Sequence, residues 1–230
     1  MGSLLDSLAI QQTQQTSRFS YGAFRVWGSI GWAIGCTLMG RYLITHELAH
    51  IFPIAAIFYF ITLLSSLALK SEEKKEKQER DFVFSHLVAV FGKKQIMLLL
   101  ILLIFYGIGI SPLYVFINLY YRDIGATNYI IGIAFAVQAL SELPFFFFGH
   151  KLVDRFGAEK LLLGVVLAAI FRMCIYGFIS NPSIAVMIGL MQGITLSLFW
   201  VGIVSYLHPL IPVKWRSTGQ SLIWAFHLGA

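Results

Sequence analysis

Residues Gln95–Asn118 read QIMLLLILLIFYGIGISPLYVFIN and contain no Asp, Glu, Lys or Arg. A helix needs about 20 apolar residues to cross the hydrocarbon core of a bilayer, so this stretch predicts a membrane-spanning helix. Five further apolar runs lie at 24–44, 51–69, 129–149, 161–180 and 184–207. A seventh begins near 217 and is cut off at Ala230. Glycine and proline inside such runs are tolerated in membrane helices. The fold class predicted is all-α: a polytopic membrane protein with six complete spans and part of a seventh.

Composition agrees. Hydrophobic residues make up 58% of the 230 and charged residues 12%, against roughly 25% charged in a soluble globular chain. Mean hydropathy is +0.77, and phenylalanine alone occurs 20 times. One soluble core cannot hide that much apolar surface. The formal charge of +6 does not imply a nucleic-acid partner, because the basic residues sit in the gaps between apolar runs. Cys36 and Cys174 both fall inside such runs and read as small buried hydrophobes, not as a disulfide. The first residues, MGSLLDSLAIQQTQQTSR, lack the basic and then apolar order of a cleavable signal peptide.

The basic residues also orient the chain. One side collects Arg18, Arg25, Lys70, Lys74, Lys75, Lys77, Arg80, Lys93, Lys94, Lys151, Arg155, Lys160, Lys214 and Arg216. The other has Arg41 and Arg122, and Arg172 is mid-span. Positive charge marks the cytoplasmic side. The expectation is a multi-pass protein of the cell (inner) membrane with a cytoplasmic N-terminus and a last helix that runs outward. This disfavours a seven-helix receptor, whose N-terminus is outside.

The longest gap, 70–94, opens with the solvated charge run SEEKKEKQERDF and continues as the amphipathic FSHLVAVFGKK, a stretch suited to the membrane surface. It divides the chain into 1–69, the end of one helix bundle; 70–94, a cytoplasmic linker; and 95–230, a second, truncated bundle. Two helices before the linker make an odd bundle, and the simplest expectation is that four earlier helices are missing.

Several motifs, in chain order, resemble one transporter branch. Tyr21-Gly-Ala-Phe-Arg-Val-Trp-Gly-Ser-Ile-Gly-Trp32 resembles the start of the fifth helix of the lactose permease-like oligosaccharide/proton symporters and the related nucleoside/proton symporters. Ala139-Leu-Ser-Glu-Leu143 resembles their eighth-helix segment. Leu152-Val-Asp-Arg-Phe-Gly157, followed by Lys160, resembles the signature cytoplasmic loop of the major facilitator superfamily. Gln192-Gly-Ile-Thr-Leu-Ser-Leu-Phe-Trp200 resembles the tenth helix. The resemblance covers essentially the whole chain and implies helices five to ten plus part of eleven of a twelve-helix fold. One departure stands out: the signature loop usually has glycine two residues before its leucine, whereas here that place is His150 and Gly149 comes one step early.

The resemblance implies secondary transport of a small polar solute, a sugar or nucleoside, coupled to protons, with the bilayer as the other partner, no nucleic acid and no cofactor. Arg25, Ser29 and Trp32 share a helix face at i, i+4, i+7. An indole stacks on a sugar ring and a guanidinium bonds two hydroxyls at once. By resemblance Arg25 and Trp32 bind substrate; as residues alone they read equally as a cytoplasmic anchor and packing. Glu142 is mid-span, where a carboxylate is expensive unless it faces protein or water. The resemblance makes it a substrate ligand and proton carrier, with Gln138 one turn away. The structural alternative is an ion pair with Arg172. Asp6 falls, with a one-residue shift, where the family's fourth helix ends in a sugar-binding acid. Asp154, Arg155, Gly157 and Lys160 form the gating loop. Gln192 and Thr195 occupy the places of the permease's proton-handling histidine and glutamate; neither titrates, so a lactose-type relay is not supported.

Three features concern packing. Gly31 and Gly35 make a GxxxG expected at a helix interface, with Gly28 beside them. Gly189, Gly193 and Ser197 read as a second seam. Gly107-Ile-Gly-Ile-Ser-Pro112 is expected to weaken the third span. Two other functional readings compete. A decayed, non-transporting remnant is one. The other is a zinc protease on His46-Glu-Leu-Ala-His50, which fits H-E-x-x-H; Pro53 just beyond and the lack of a third ligand weigh against it.

Overall fold

The computed structural model describes residues 21–67 and 92–211. Asp6, the linker up to residue 91 and the seventh run lie outside them. Side chains are described from residue 27, so Arg25 is placed by its backbone only.

The described residues are mostly helical and form no strand. The elements are α1 (Tyr21–Tyr42), α2 (Ile51–Leu67), α3 (Lys94–Val115), α4 (Ile117–Asp123), α5 (Asn128–Phe156), α6 (Ala158–Tyr176), α7 (Pro182–Ile188) and α8 (Phe199–Leu207). A 3-10 turn, Leu48–His50, precedes α2. Helices Leu48–Leu67, Lys94–Val115, Asn128–Phe156 and Pro182–Leu207 are long and apolar enough to cross a membrane. The segments α1 and α6 fill the other two predicted spans. This is the polytopic all-α arrangement that the sequence predicts. No residue of α2 is buried, and Phe52 and Phe178 are 78% and 89% exposed. Such an apolar surface requires lipid as its solvent.

Local chemistry sets the boundaries. Thr127 caps α5 by accepting from the Ile130 N–H, and Asn181 caps α7 ahead of Pro182. Gly157, with φ +81, is the single residue between α5 and α6; only glycine adopts that backbone freely. The third span runs on through 107–112 with Pro112 inside the helix. Pro112 has no N–H to donate to the Ile108 carbonyl, and Ser111 Oγ donates to that oxygen instead at 2.9 Å. The helix continues to Val115, and the interruption falls at Phe116.

Packing produces a core and a seam. Ile96, Leu99, Leu103 and Ile110 of α3 bury against Leu162 and Val165 of α6 and Phe199 and Ile203 of α8. The seam joins α1 and α5 through small residues: Ala33 clusters with Ala136 and Ala139. Gly40 lies so close to Gly132 that a Cβ on Gly132 would stand 3.0 Å from Gly40 Cα and closer still to the Cys36 carbonyl oxygen. Asn128 Nδ2 donates to the Leu43 carbonyl at 2.9 Å and ties the seam's end.

The expected GxxxG face has no partner among the described residues. At Gly28, Gly31 and Gly35 an added Cβ meets no described atom within 4 Å. The contact stripe runs through Ala33, Cys36 and Gly40, turned away from those glycines. The second seam is as expected: Gly189 packs on Gln138, Gly193 on Ser141 and Phe145, and Ser197 is fully buried. Cys36 is half-buried, Cys174 is exposed, and both are free thiols. Changing Gly132 to alanine should cost about 1–3 kcal/mol in helix packing, whereas Gly31→Ala should cost nearly nothing. Thermal unfolding of the detergent-solubilised protein reads the difference.

Candidate functional site

Arg172 is the centre of the described polar structure. Its face of α6 carries Leu162, Val165, Ala169 and Tyr176, all buried, and Arg172 itself is 1% exposed. A buried guanidinium needs partners. One terminal nitrogen donates to Gln192 Oε1 at 2.6 Å and to Thr195 Oγ1 at 2.7 Å. Thr195 Oγ1 in turn donates to the Met191 carbonyl at 3.0 Å, so its lone pairs are free to accept from Arg172. Tyr106 Oη donates to the Thr195 carbonyl, and its ring stacks on Phe199 with centroids 3.8 Å apart. The guanidinium lies over Tyr176, 5.7 Å from the ring centroid.

The backbone here is unusual. Between α7 and α8 the chain passes through a 3-10 turn, Gly189–Met191, and a π-helical turn, Gly193–Leu198. Wide turns of this kind occur often at functional sites. This one directs Gln192 and Thr195 at one guanidinium. It is pinned from α5, where Ser141 Oγ accepts from the Gly193 N–H at 3.1 Å and donates to the Gln138 carbonyl at 2.6 Å.

Gln138 and Glu142, on the same stretch of α5, are half-buried. Gln138 packs over Gly189. Tyr114, from α3, lies near Gln192, Glu142 and Arg172. The structure thus groups Gln138, Glu142, Arg172, Gln192 and Thr195 across three spans. Gln138 Nε2 and Arg172 Nε are buried donors without a hydrogen-bond partner among the described residues.

Ser29 is half-buried and Trp32 is 61% exposed on α1. Asp154, Arg155, Gly157 and Lys160 are exposed at the α5–α6 junction, and the Arg155 guanidinium sits over Phe156, 5.2 Å from its centroid. His46-Glu-Leu-Ala-His50 is not helical: Glu47 is extended at φ −71, ψ 149, and only Leu48–His50 turn. The motif thus lacks the helix face on which a zinc protease carries its two histidines and glutamate. Tyr106, Tyr114 and Ser141 were not singled out from sequence. Each sits in an apolar run where a hydroxyl looks incidental, and only the fold brings it to the segment 192–195 that holds Arg172.

The sequence profile of the MFS_1-like family matches residues 1–230. The chain is 24% identical over 234 residues to the uncharacterized transporter YwbF of Bacillus subtilis (strain 168), covering 98% of this chain and 56% of that protein. It is 28% identical over 225 residues to the maltose permease of Geobacillus stearothermophilus, covering 95% and 55% respectively. The staphylopine export protein of Staphylococcus aureus (strain Mu50 / ATCC 700699) shares 30% over 112 residues, 49% of this chain and 28% of that protein. The chain spans just over half the length of the first two relatives. No solved structure matches. A profile match over the full chain, on an all-helical fold with membrane-length apolar spans, settles the family: the chain belongs to the MFS_1-like family of major facilitator transporters.

Proposed function

We propose that this chain forms the substrate path of a secondary active transporter that carries a small polar solute, a sugar or nucleoside, together with a proton. The N-terminus is cytoplasmic, and residues 1–69 and 95–230 belong to two bundles that rock about the linker 70–94. The observation that carries this reading is the antiparallel seam of α1 and α5. These are the helices that hold the candidate ligands, and their register is fixed at Gly40–Gly132 and Ala33–Ala136. Extending it by one turn brings Ser29 level with Glu142 and Arg25 level with Phe146. Hydroxyl and carboxylate then lie at one depth, with Trp32 one turn along α1, a set suited to a polyhydroxylated ligand.

Glu142 carries the proton and Arg172 balances its charge through Tyr114 and Gln192. Gln192 and Thr195 act by holding Arg172, since neither can titrate. Asp6 is the further acid that the resemblance assigns to the solute. Asp154, Arg155, Gly157 and Lys160 gate the cytoplasmic side, with Gly157 as the hinge its positive φ allows. The maltose permease among the relatives supports an oligosaccharide as the first solute to test.

A cysteine at Ser29 in the full-length protein provides the test. Alkylation of Ser29→Cys should slow in the presence of the transported solute, while alkylation of the exposed Cys174 should not. Equal labelling of Ser29→Cys with every sugar and nucleoside tried overturns the placement of the path along this seam.

A further inference from the structure

The connection between α1 and α2 holds a side-chain cluster that transport does not use. Tyr42 and His46 stack face to face, with centroids 3.9 Å apart and planes 9° from parallel. The His46 and His50 rings stand 5.7 Å apart between centroids, tilted by 59°. Two imidazoles bound to one ion at metal–nitrogen distances of about 2.0–2.1 Å place their ring centres roughly 5–6 Å apart. The observed separation falls in that window.

The partners of the other ring nitrogens point the same way. His46 Nδ1 lies 3.0 Å from the Tyr42 carbonyl oxygen, which can only accept. Nδ1 therefore carries the proton, and Nε2 keeps its lone pair free for a metal. Thr45 Oγ1, 2.9 Å from the same Nδ1, fixes the ring further. His50 Nδ1 is approached by Tyr42 Oη at 3.5 Å, which again leaves Nε2 as the open nitrogen. A backbone or hydroxyl partner on the other ring nitrogen is the usual arrangement for metal-ligating histidines. Both residues are exposed, so an ion reaches them without rearrangement.

We infer that His46 and His50 form a two-histidine site for a divalent transition-metal ion, of the zinc, nickel or copper class that imidazole prefers. Among the described residues no group of three or more His, Cys, Asp or Glu could hold a metal ion, so the described site supplies two ligands. The bound ion is exchangeable rather than structural. It staples the loop to Tyr42, two residues beyond the Gly40 contact with Gly132.

The test is titration of the purified full-length protein with Zn²⁺ by calorimetry and with Cu²⁺ by electron paramagnetic resonance. Saturable binding of one ion is expected, with two imidazole nitrogens in the Cu²⁺ spectrum. His46→Ala and His50→Ala should each weaken binding at least tenfold, while His150→Ala leaves it unchanged. Circular dichroism checks that the variants keep their helices. Absence of saturable binding, or its persistence in either His46→Ala or His50→Ala, overturns the site.

Discussion

Gly193→Ala is expected to prevent the second bundle from assembling normally. A Cβ at Gly193 falls on the Ser141 carbonyl oxygen and within 2.8 Å of Phe145 Cε2. The first of these is backbone, which cannot swing aside. The same contact sets the π turn, because the Gly193 N–H donates to Ser141 Oγ. Pushing the two spans apart by the width of a methyl group would unseat that bond and shift Gln192 and Thr195 from Arg172. Overpacking of this kind costs about 1–3 kcal/mol, and more where backbone must move. Gly164→Ala on α6, with nothing within 4 Å of the new atom, is the matched control. Thermal denaturation in detergent should show a clear fall in Tm for Gly193→Ala and almost none for Gly164→Ala. A Gly193→Ala protein as stable as its parent would mean that the α5 contact is not as drawn.

Glu142→Gln is expected to abolish gradient-driven uptake by the full-length protein. It keeps the shape of the side chain and removes the charge. A charge-assisted hydrogen bond contributes about 1.5–3 kcal/mol, so its loss lowers apparent affinity for the solute roughly 10- to 100-fold. Removal of the proton carrier also uncouples whatever binding remains. Glu142→Asp keeps the carboxylate and should retain part of the activity. Immunoblotting of membranes confirms that each variant is present. Uptake of Glu142→Gln at the parental level would remove Glu142 from the mechanism.

These two residues differ in how far sequence could read them. Glu142 was legible because a carboxylate inside an apolar run has few reasons to be there. Gly193 was legible as one of three small residues four apart, a spacing that keeps one helix face flat. Gly31 and Gly35 offer the same kind of spacing without a partner among the described residues, because spacing names a face but not the helix that covers it. The partner α5 instead meets Ala33, Cys36 and Gly40, and the smallness of alanine and cysteine carries less signal than paired glycines. The apolar spans were readable from residues such as those of 95–118, since bilayer thickness dictates length. The interruption at Phe116 was not, because the backbone group freed by Pro112 is satisfied by Ser111, a side chain whose role depends on its rotamer. The bonding of Arg172 to Gln192 and Thr195 was hidden for another reason. It depends on a π turn, and no local pattern in GITLSL distinguishes that turn from an α-helix.

The His46–His50 pair illustrates the reverse case. Its five-letter pattern suggests a protease, but the extended backbone at Glu47 separates the glutamate from the helix geometry that chemistry requires. What remains is the proximity of two imidazoles.

The central claim, that this family member moves a polar solute with a proton along the α1–α5 seam, is tested most directly by uptake. The full-length protein would be placed in vesicles with an imposed pH gradient, acid outside, and offered a panel of radiolabelled sugars and nucleosides. The account predicts that at least one solute accumulates above its external concentration and that a protonophore abolishes the accumulation. Vesicles that contain the protein and accumulate none of the panel, or that accumulate a solute regardless of the pH gradient, would contradict it.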